Sequence, residues 1–459
     1  MVARNMMVVN ALPVILAILL VVVYSFDKII YIIAFFAPLS LPLSTLMPGN
    51  GFDMYLPTEP LLFGLLIVFV IKLVYERGFD RQILIHPVSM AIYLNLIWIF
   101  LTSLTSTMPI VSFKFLLARI WFVAVLFFIT AKMFSEGKNL EKYIWLYAVS
   151  LVIVIFYTVN RHLGYGIWNK QVANFVCNPF YKDHTSYGAA LAMYIPFFLM
   201  FVFGKFMSHK QKIYSAIVLV ILLIGFVLSY TRAAWLSLII AGGVYVVMKL
   251  KIKFKPLFIT FSVLLVVLGM SWSQIEMELA QNSEQSSADF KTHISSMTNI
   301  KSDASNLERI NRWSSAIRMF KDKPVFGFGP GTYMFQYAPY QLNENRTIIS
   351  TNSADGGNAH SEYLGPLSES GVLGMLTFLL IIGVVIYTAV HTYMRLTDKR
   401  LKSFVLAALV SLVTYYIHGF LNNFLDTDKL SVPFWGFTAM IVAIDIYSRN
   451  QIKAQKNPD

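Results

Sequence analysis

IYSAIVLVILLIGFVLSY (Ile213–Tyr230) and AAWLSLIIAGGVYVVM (Ala233–Met248) stand almost end to end, with Thr231-Arg232 alone between them. Each run approaches the roughly 20 apolar residues that carry a helix across a bilayer, and neither contains a charge. Backbone in lipid must satisfy its own hydrogen bonds, so runs of this kind read as transmembrane helices. Two of them joined by a tight turn set the fold class: an all-α integral membrane protein.

The same pattern repeats outward from that pair. Further candidate spans are Val8–Tyr24, Ile29–Met47, Leu61–Tyr75, Ile83–Leu104, Phe113–Phe134, Tyr143–Val159 and Tyr187–Phe206 on the N-terminal side. Pro256–Trp272, Val372–Tyr393, Phe404–Leu421 and Val432–Tyr447 follow. Composition agrees: 57% hydrophobic against 13% charged residues, with mean hydropathy +0.63, is membrane usage rather than that of two or three soluble domains. No internal repeat stands out, and no cleavable signal peptide is expected, since the first apolar run lacks a small-residue cleavage site. The single cysteine, Cys177, excludes an intramolecular disulfide and a cysteine metal cage.

Lys and Arg set the orientation. The net charge of +13 is explained by basic cytoplasmic loops and does not call for a nucleic-acid partner. Glu76–Gln82, Lys132–Lys142, Lys205–Lys212, Lys249–Lys255 and Arg395–Lys402 fall on alternate crossings and are assigned to the cytoplasm. Gly49–Thr58, Thr105–Pro109, Arg161–Thr185, Thr231–Arg232, Ser273–Gly371 and Asn422–Leu430 then face the other side. Thirteen crossings would put the N-terminus outside while Arg4 favours inside, so one of the first two runs is a candidate for incomplete crossing. The expectation is about 12-13 transmembrane helices with one large, partly helical periplasmic loop. In chain terms, 1–272 is an N-terminal bundle of about ten spans, 273–371 a catalytic loop, and 372–459 the C-terminal helices and cytoplasmic tail.

Ser273–Gly371 is the long polar interval of the chain, and connections of that length are commonly functional or disordered. Asn282–Ala304 reads as disordered. Ser305-Asn306-Leu307-Glu308 is a capping-box pattern, and Leu307, Ile310, Trp313, Ala316, Ile317 and Phe320 form an apolar stripe at helical spacing. A helix is therefore expected from about Asn306 to Phe320, lying on the outer ends of the spans. Arg309 and Arg312 are neighbours on its surface, open to reading as a ligand site or as a solvated face. Lys323-Pro324 ends it, and Gly327, Gly329 and Gly331 permit tight turns or a close backbone approach. GFGPG lacks the Lys-Ser/Thr of a phosphate loop.

Arg232 is a permanent charge between two spans, a functional-site hypothesis by default; the alternative is a guanidinium snorkelling to lipid headgroups. Arg119 and Lys114 lie near the outer end of one span, and Arg161, Lys170 and Lys182 in the loop before Tyr187. Several outer cations suit an anionic lipid ligand, which Arg grips through a planar fork that never loses its charge. His360, after Gly356-Gly357-Asn358, is a candidate general base because its reference pKa lies near neutrality; loop packing is the alternative. Glu362 and Glu369 read as capping or orienting groups. No metal-binding motif appears, and neither a metal nor a cofactor is expected.

ERINRWSSAIRMFKDKPVFGFGPGTY followed by NAHSEYLGPLSESGVLG resembles the O-antigen ligase/polymerase superfamily. SYTRAAWLSLIIAG is similar to that family's span-end signature, with Tyr-Thr here separating Ser229 from Arg232. The resemblance covers Leu228–Leu379 and implies glycosyl transfer at the periplasmic face of the bacterial inner membrane. It implies an undecaprenyl-diphosphate-linked glycan as donor, and a lipid A-core sugar (ligase) or a second lipid-linked glycan (polymerase) as acceptor. It also implies a metal-independent, inverting reaction with Arg232 and Arg309 on the diphosphate, Arg312 assisting, and His360 as base. Arg119, Arg161 and Lys182 are further candidates for binding diphosphate or glycan. The single large outer loop favours ligase. A polyprenyl-glycan or polysaccharide transporter is the reading from another class, but it should show broken or charged mid-membrane helices in two halves.

Overall fold

The computed structural model describes residues 26–46, 54–75, 78–251, 304–342 and 357–456. The runs expected at Val8–Tyr24 and Pro256–Trp272, residues 273–303 and the side chain of Ser305 lie outside the described residues. The described residues are helical almost throughout: α1 (Phe26–Phe36), α2 (Thr58–Tyr75), α3 (Pro87–Leu104), α4 (Pro109–Met133), α5 (Leu140–Tyr165) and α6 (His184–Phe203) come first. Then follow α7 (His209–Leu228), α8 (Arg232–Leu250), α9 (Ala304–Asp322), α10 (Leu364–Arg395), α11 (Lys399–His418) and α12 (Asp428–Lys456). Ten of these, α2–α8 and α10–α12, are long and apolar enough to cross a membrane among the described residues. This is an all-α integral membrane protein, as the apolar runs require.

The run Ile29–Met47 does not continue as one helix. α1 is 11 residues long, about 16 Å of rise against a hydrocarbon core of about 30 Å. It ends in a 3₁₀ turn at Ala37–Leu39, and Leu41–Pro42 (β1) then pairs antiparallel with Tyr55–Leu56 (β2). Lys429 holds this bent segment: its Nζ donates to the carbonyls of Ala37 (2.8 Å) and Ser40 (2.6 Å) and to Ser40 Oγ (2.5 Å). Asp428 accepts from Ser40 Oγ at 2.5 Å and from Thr58.

Burial separates centre from rim. Of the apolar window of each span, 89% is buried in α12, 83% in α11 and 78% in α6, against 28% in α8 and 33% in α7. The first three therefore form the axis of the bundle. α7 and α8 show Ile217, Val220, Ile224 and Ile239 outward, a face suited to lipid, where apolar exposure costs nothing. Far from the long polar loop, Asp445 of α12 collects the helix ends. It accepts from Thr392 Oγ1 (2.5 Å), Arg395 Nη2 (2.6 Å) and Arg449 Nε (2.7 Å), and pairs with His86 Nε2 (3.1 Å). Arg400 closes that end with a two-pronged pair to Glu141 at 2.9 and 2.7 Å.

At the opposite end α6 and α8 start side by side, Thr231 Oγ1 donating to the His184 carbonyl at 2.8 Å. α10 begins at Leu364, eight positions before the expected Val372, and carries a break at Gly371 (φ 69, ψ −170). Its first two turns thus belong to the polar layer that covers this end.

Candidate active site

α9 runs from Ala304 to Asp322, longer at both ends than the spacing predicts. Its buried face also differs from the expected apolar stripe. Glu308, Asn311, Arg312, Ser315, Ala316 and Met319 are buried, whereas Ile317 is 41% exposed. The buried positions keep helical spacing but are mostly polar, because the layer beneath offers hydrogen-bond partners rather than lipid. Arg312 Nε pairs with Glu308 Oε1 at 2.6 Å, and its guanidinium lies 3.9 Å above the Tyr337 ring. Tyr333 Oη donates to the Arg312 carbonyl at 2.8 Å, and Asn311 Nδ2 to Gln341 Oε1 at 2.8 Å. Arg312 is only 4% exposed, which rules out a solvated face for it. Its Nη1 is buried with no hydrogen-bond partner among the described residues.

The glycine string serves packing. A Cβ on Gly327 would fall 2.3 Å from the Glu369 carbonyl carbon, and one on Gly371 would fall 2.0 Å from the Val325 carbonyl oxygen. Backbone meets backbone there: Gly329 N donates to the Glu369 carbonyl (2.7 Å), Phe328 N to that of Ser368 (3.2 Å), and Val372 N to that of Pro324 (3.0 Å). Glu369 Oε1 accepts from Tyr333 N at 2.9 Å. The turn after α9 is thereby bonded to the broken start of α10, which fixes the distance between the arginines of α9 and the histidine that precedes α10.

That histidine sits in a strained turn. His360 has φ 48, a conformation uncommon for a residue with a Cβ and often found at functional positions. Asn358 Oδ1 accepts from its N–H at 3.1 Å, and its carbonyl accepts from Trp313 Nε1 of α9 at 3.3 Å. Two residues on, Glu362 anchors the turn. Its Oε1 accepts from Tyr415 Oη (2.6 Å), Phe424 N (2.8 Å) and Leu425 N (2.9 Å), while its own N–H donates to the Gly419 carbonyl at 2.8 Å. Burial raises the Glu362 carboxyl above its ordinary range against the opposing effect of Arg119.

His360 is half-buried, and its imidazole is held neutral. Desolvation, then Arg309 and Arg312, push its pKa down to about 4, partly offset by Asp183 and Glu308. Arg309 Nε donates to the Leu421 carbonyl at 3.2 Å. It interacts electrostatically with His184 and His418 as well as His360, and Arg232, the first residue of α8, with His184. Arg232, Arg309, Arg312 and His360 therefore share one electrostatic neighbourhood, contributed by α8, α9 and the turn before α10.

Lys170 also acts on His184, whereas Arg119, Lys182 and Arg161 stand elsewhere. Arg119 of α4 lies 5.3 Å from the Phe115 ring and borders a cavity of about 30 Å³ with Glu362, Glu369, Pro330 and Phe378. That volume suits water rather than a sugar. Lys182 is exposed and acts with Arg119 on Asp426, whose carboxyl burial raises. Arg161 is committed to its own loop, donating to the carbonyls of Val176 (3.0 Å) and Asn178.

Sequence reasoning passed over His418 and left His184 and Asp183 as loop residues. His418 closes an apolar span, and a titratable group at a span end was the available signal. Among the described residues, no group of three or more His, Cys, Asp or Glu side chains is arranged to hold a metal ion.

Residues 217–379 match a protein-family model described as O-Antigen ligase. The matched region holds Arg232, Arg309, Arg312 and His360; Arg119, Arg161, Lys182 and His418 fall outside it. A search of curated proteins finds no match. The match spans about a third of the chain and supports a likeness to the O-antigen ligase-like superfamily in a multi-pass membrane protein.

Proposed function

We propose that this protein transfers a glycan from undecaprenyl diphosphate to a lipid A-core sugar at the periplasmic face of the inner membrane. One observation carries the reading: a neutral, half-buried imidazole, His360, stands in the field of Arg309 and Arg312, and Arg309 is shared with Arg232 through His184. A base beside fixed cations matches a reaction that removes a proton at one point and releases a diphosphate at another.

The acceptor hydroxyl attacks the anomeric carbon from the face opposite the diphosphate. Its oxygen forms the new C–O bond as the old C–O bond breaks, the electron pair leaves with the diphosphate, and the configuration inverts. The sugar passes through oxocarbenium character. Negative charge grows on the leaving oxygen, where Arg232 and Arg309, with Arg312 assisting, stabilise it as preorganised positive charge. His360 takes the hydroxyl proton. At a pKa of about 4 it is a weak base in the empty site. Desolvation is the larger cause of the depression; the donor's diphosphate charge offsets the part due to Arg309 and Arg312 and so moves the imidazole upward, towards proton abstraction. Lys182 is assigned to the acceptor side, Arg119 to offsetting the buried carboxyls of Glu362 and Asp426, and Arg161 to shaping the outer loop. The chain divides by role into 1–272, which brings Arg232 to the site, 273–371, which supplies Arg309, Arg312 and His360, and 372–459, which carries the buried axis helices α11 and α12.

The test is transfer in proteoliposomes containing an undecaprenyl-diphosphate glycan and purified lipid A-core, with wild type beside His360→Ala. Glycan on lipid A-core with wild type alone is the expected result. Longer chains left on undecaprenyl diphosphate would make the protein a polymerase, and no transfer to either acceptor would overturn the reading.

A further inference from the structure

α11 ends in a histidine whose hydrogen bonding is half complete. His418 is 1% exposed. Its Nε2 lies 3.1 Å from Asn422 Nδ2. An amide nitrogen can only donate, so Nε2 accepts and the ring proton resides on Nδ1. Nδ1 is buried and has no hydrogen-bond partner among the described residues. A buried N–H donor without an acceptor is rare in a folded protein, and each instance calls for an explanation.

The surroundings name the missing acceptor. His418 interacts electrostatically with Arg309, Asp183 and His184. Asp183 makes no hydrogen bond to His418 among the described residues: it is the N-cap of α6, and its Oδ1 accepts from Thr185 N (2.8 Å), Ser186 N (2.9 Å) and Thr185 Oγ1 (2.5 Å). His184 also has a buried Nδ1 without a hydrogen-bond partner among the described residues, in the field of Arg309 and Arg232. Two imidazoles thus leave a nitrogen unfilled beside the same guanidinium, on elements far apart in sequence. A group that brings oxygen acceptors and negative charge satisfies the N–H and suits a place beside guanidinium groups.

We infer that His418 Nδ1–H donates to a phosphoryl oxygen of the lipid-linked diphosphate, a contact that rests on the donor reading above. His418 is then a neutral donor working beside Arg309. The Arg309 Nε bond to Leu421 couples the two, since Leu421 N donates to the His418 carbonyl at 3.0 Å. Asn422 is the positioning residue that fixes the tautomer.

Asparagine and glutamine separate this contact from mere packing. An Asn amide can place its N–H near the position of an imidazole Nδ1–H, whereas a Gln amide reproduces Nε2. Binding of undecaprenyl diphosphate, and in a parallel arm phosphatidylglycerol, is measured in phosphatidylcholine nanodiscs for wild type, His418→Asn, His418→Gln and Arg309→Ala, with melting temperatures as the check on folding. The inference expects His418→Gln to bind the diphosphate about ten- to a hundredfold more weakly, the range for a hydrogen bond to a charged group. His418→Asn should stay within about threefold, and phosphatidylglycerol should be indifferent to all of them. Equal binding by wild type and His418→Gln, with Arg309→Ala impaired, would overturn the role of His418 and leave the donor reading standing. Equal losses in Asn and Gln, or the same loss with phosphatidylglycerol, would also overturn it. Wild type that does not bind undecaprenyl diphosphate would sink the donor reading, and this inference with it.

Discussion

Arg309 donates from Nε to the Leu421 carbonyl at 3.2 Å, fastening α9 to the turn that follows α11. The bond fixes the guanidinium plane, which a lysine cannot imitate: one ammonium cannot both hold Leu421 and keep a planar fork on a phosphate. Arg309→Lys should therefore lower transfer about 10²- to 10³-fold, as loss of a preorganised charge-stabilising donor does, with little change in melting temperature. Undiminished transfer in this variant would remove Arg309 from the diphosphate site.

The His360 imidazole, held down to about 4 by desolvation, Arg309 and Arg312, sets a pH signature. The acid limb of kcat/KM reports the free protein and should lie near pH 4. The limb of kcat reports the donor complex and should lie higher, because the bound diphosphate offsets the guanidiniums. Arg309→Gln should move the kcat/KM limb upward. The stability sign follows. The folded value is depressed, so the neutral ring's contribution is complete above the ordinary 6.5 and is lost as pH falls through about 4. A wild-type kcat/KM limb near 6.5 would contradict this account.

How far the sequence carried is visible at particular residues. Ten spans were legible because length and hydropathy alone specify a helix in lipid. Arg309, Arg312 and His360 were legible because charge and imidazole stand out in a polar loop. The buried face of α9 was not: periodicity sorts apolar from polar on the premise that polar faces water, and here Glu308, Asn311 and Arg312 face a polar protein layer. The bend after Phe36 was open in the sequence, since Ile29–Met47 carries no charge and the partners that hold it, Asp428 and Lys429, lie some 390 residues away. His418 was hidden by its own span.

Glu362 Oε1 gathers three donors, from Tyr415, Phe424 and Leu425. Glu362→Ala would strand them in a buried place, at a cost of about 3 kcal/mol or more, and would loosen the turn that holds His360. Glu362→Gln keeps one carbonyl oxygen for the same donors, and since burial already raises the carboxyl, losing its charge should be tolerated. Thermal unfolding should show Ala well below Gln, and Gln close to wild type. Equal melting temperatures for Ala and wild type would show that this carboxylate does not anchor the turn.

Gly357 lies flat against Arg312. A Cβ there would stand 1.6 Å from Arg312 Nη1, and the guanidinium has little freedom to yield, with Nε tied to Glu308 at 2.6 Å and its plane 3.9 Å above Tyr337. Gly357→Ala should act on transfer through Arg312: a loss of about tenfold or more, of the size that Arg312→Gln produces, with α9 still folded. The two substitutions then interrupt one interaction, so the double variant should be no worse than the poorer single one, as expected for residues in direct contact. Losses that multiply in the double variant would show that Gly357 matters for some reason other than its contact with Arg312.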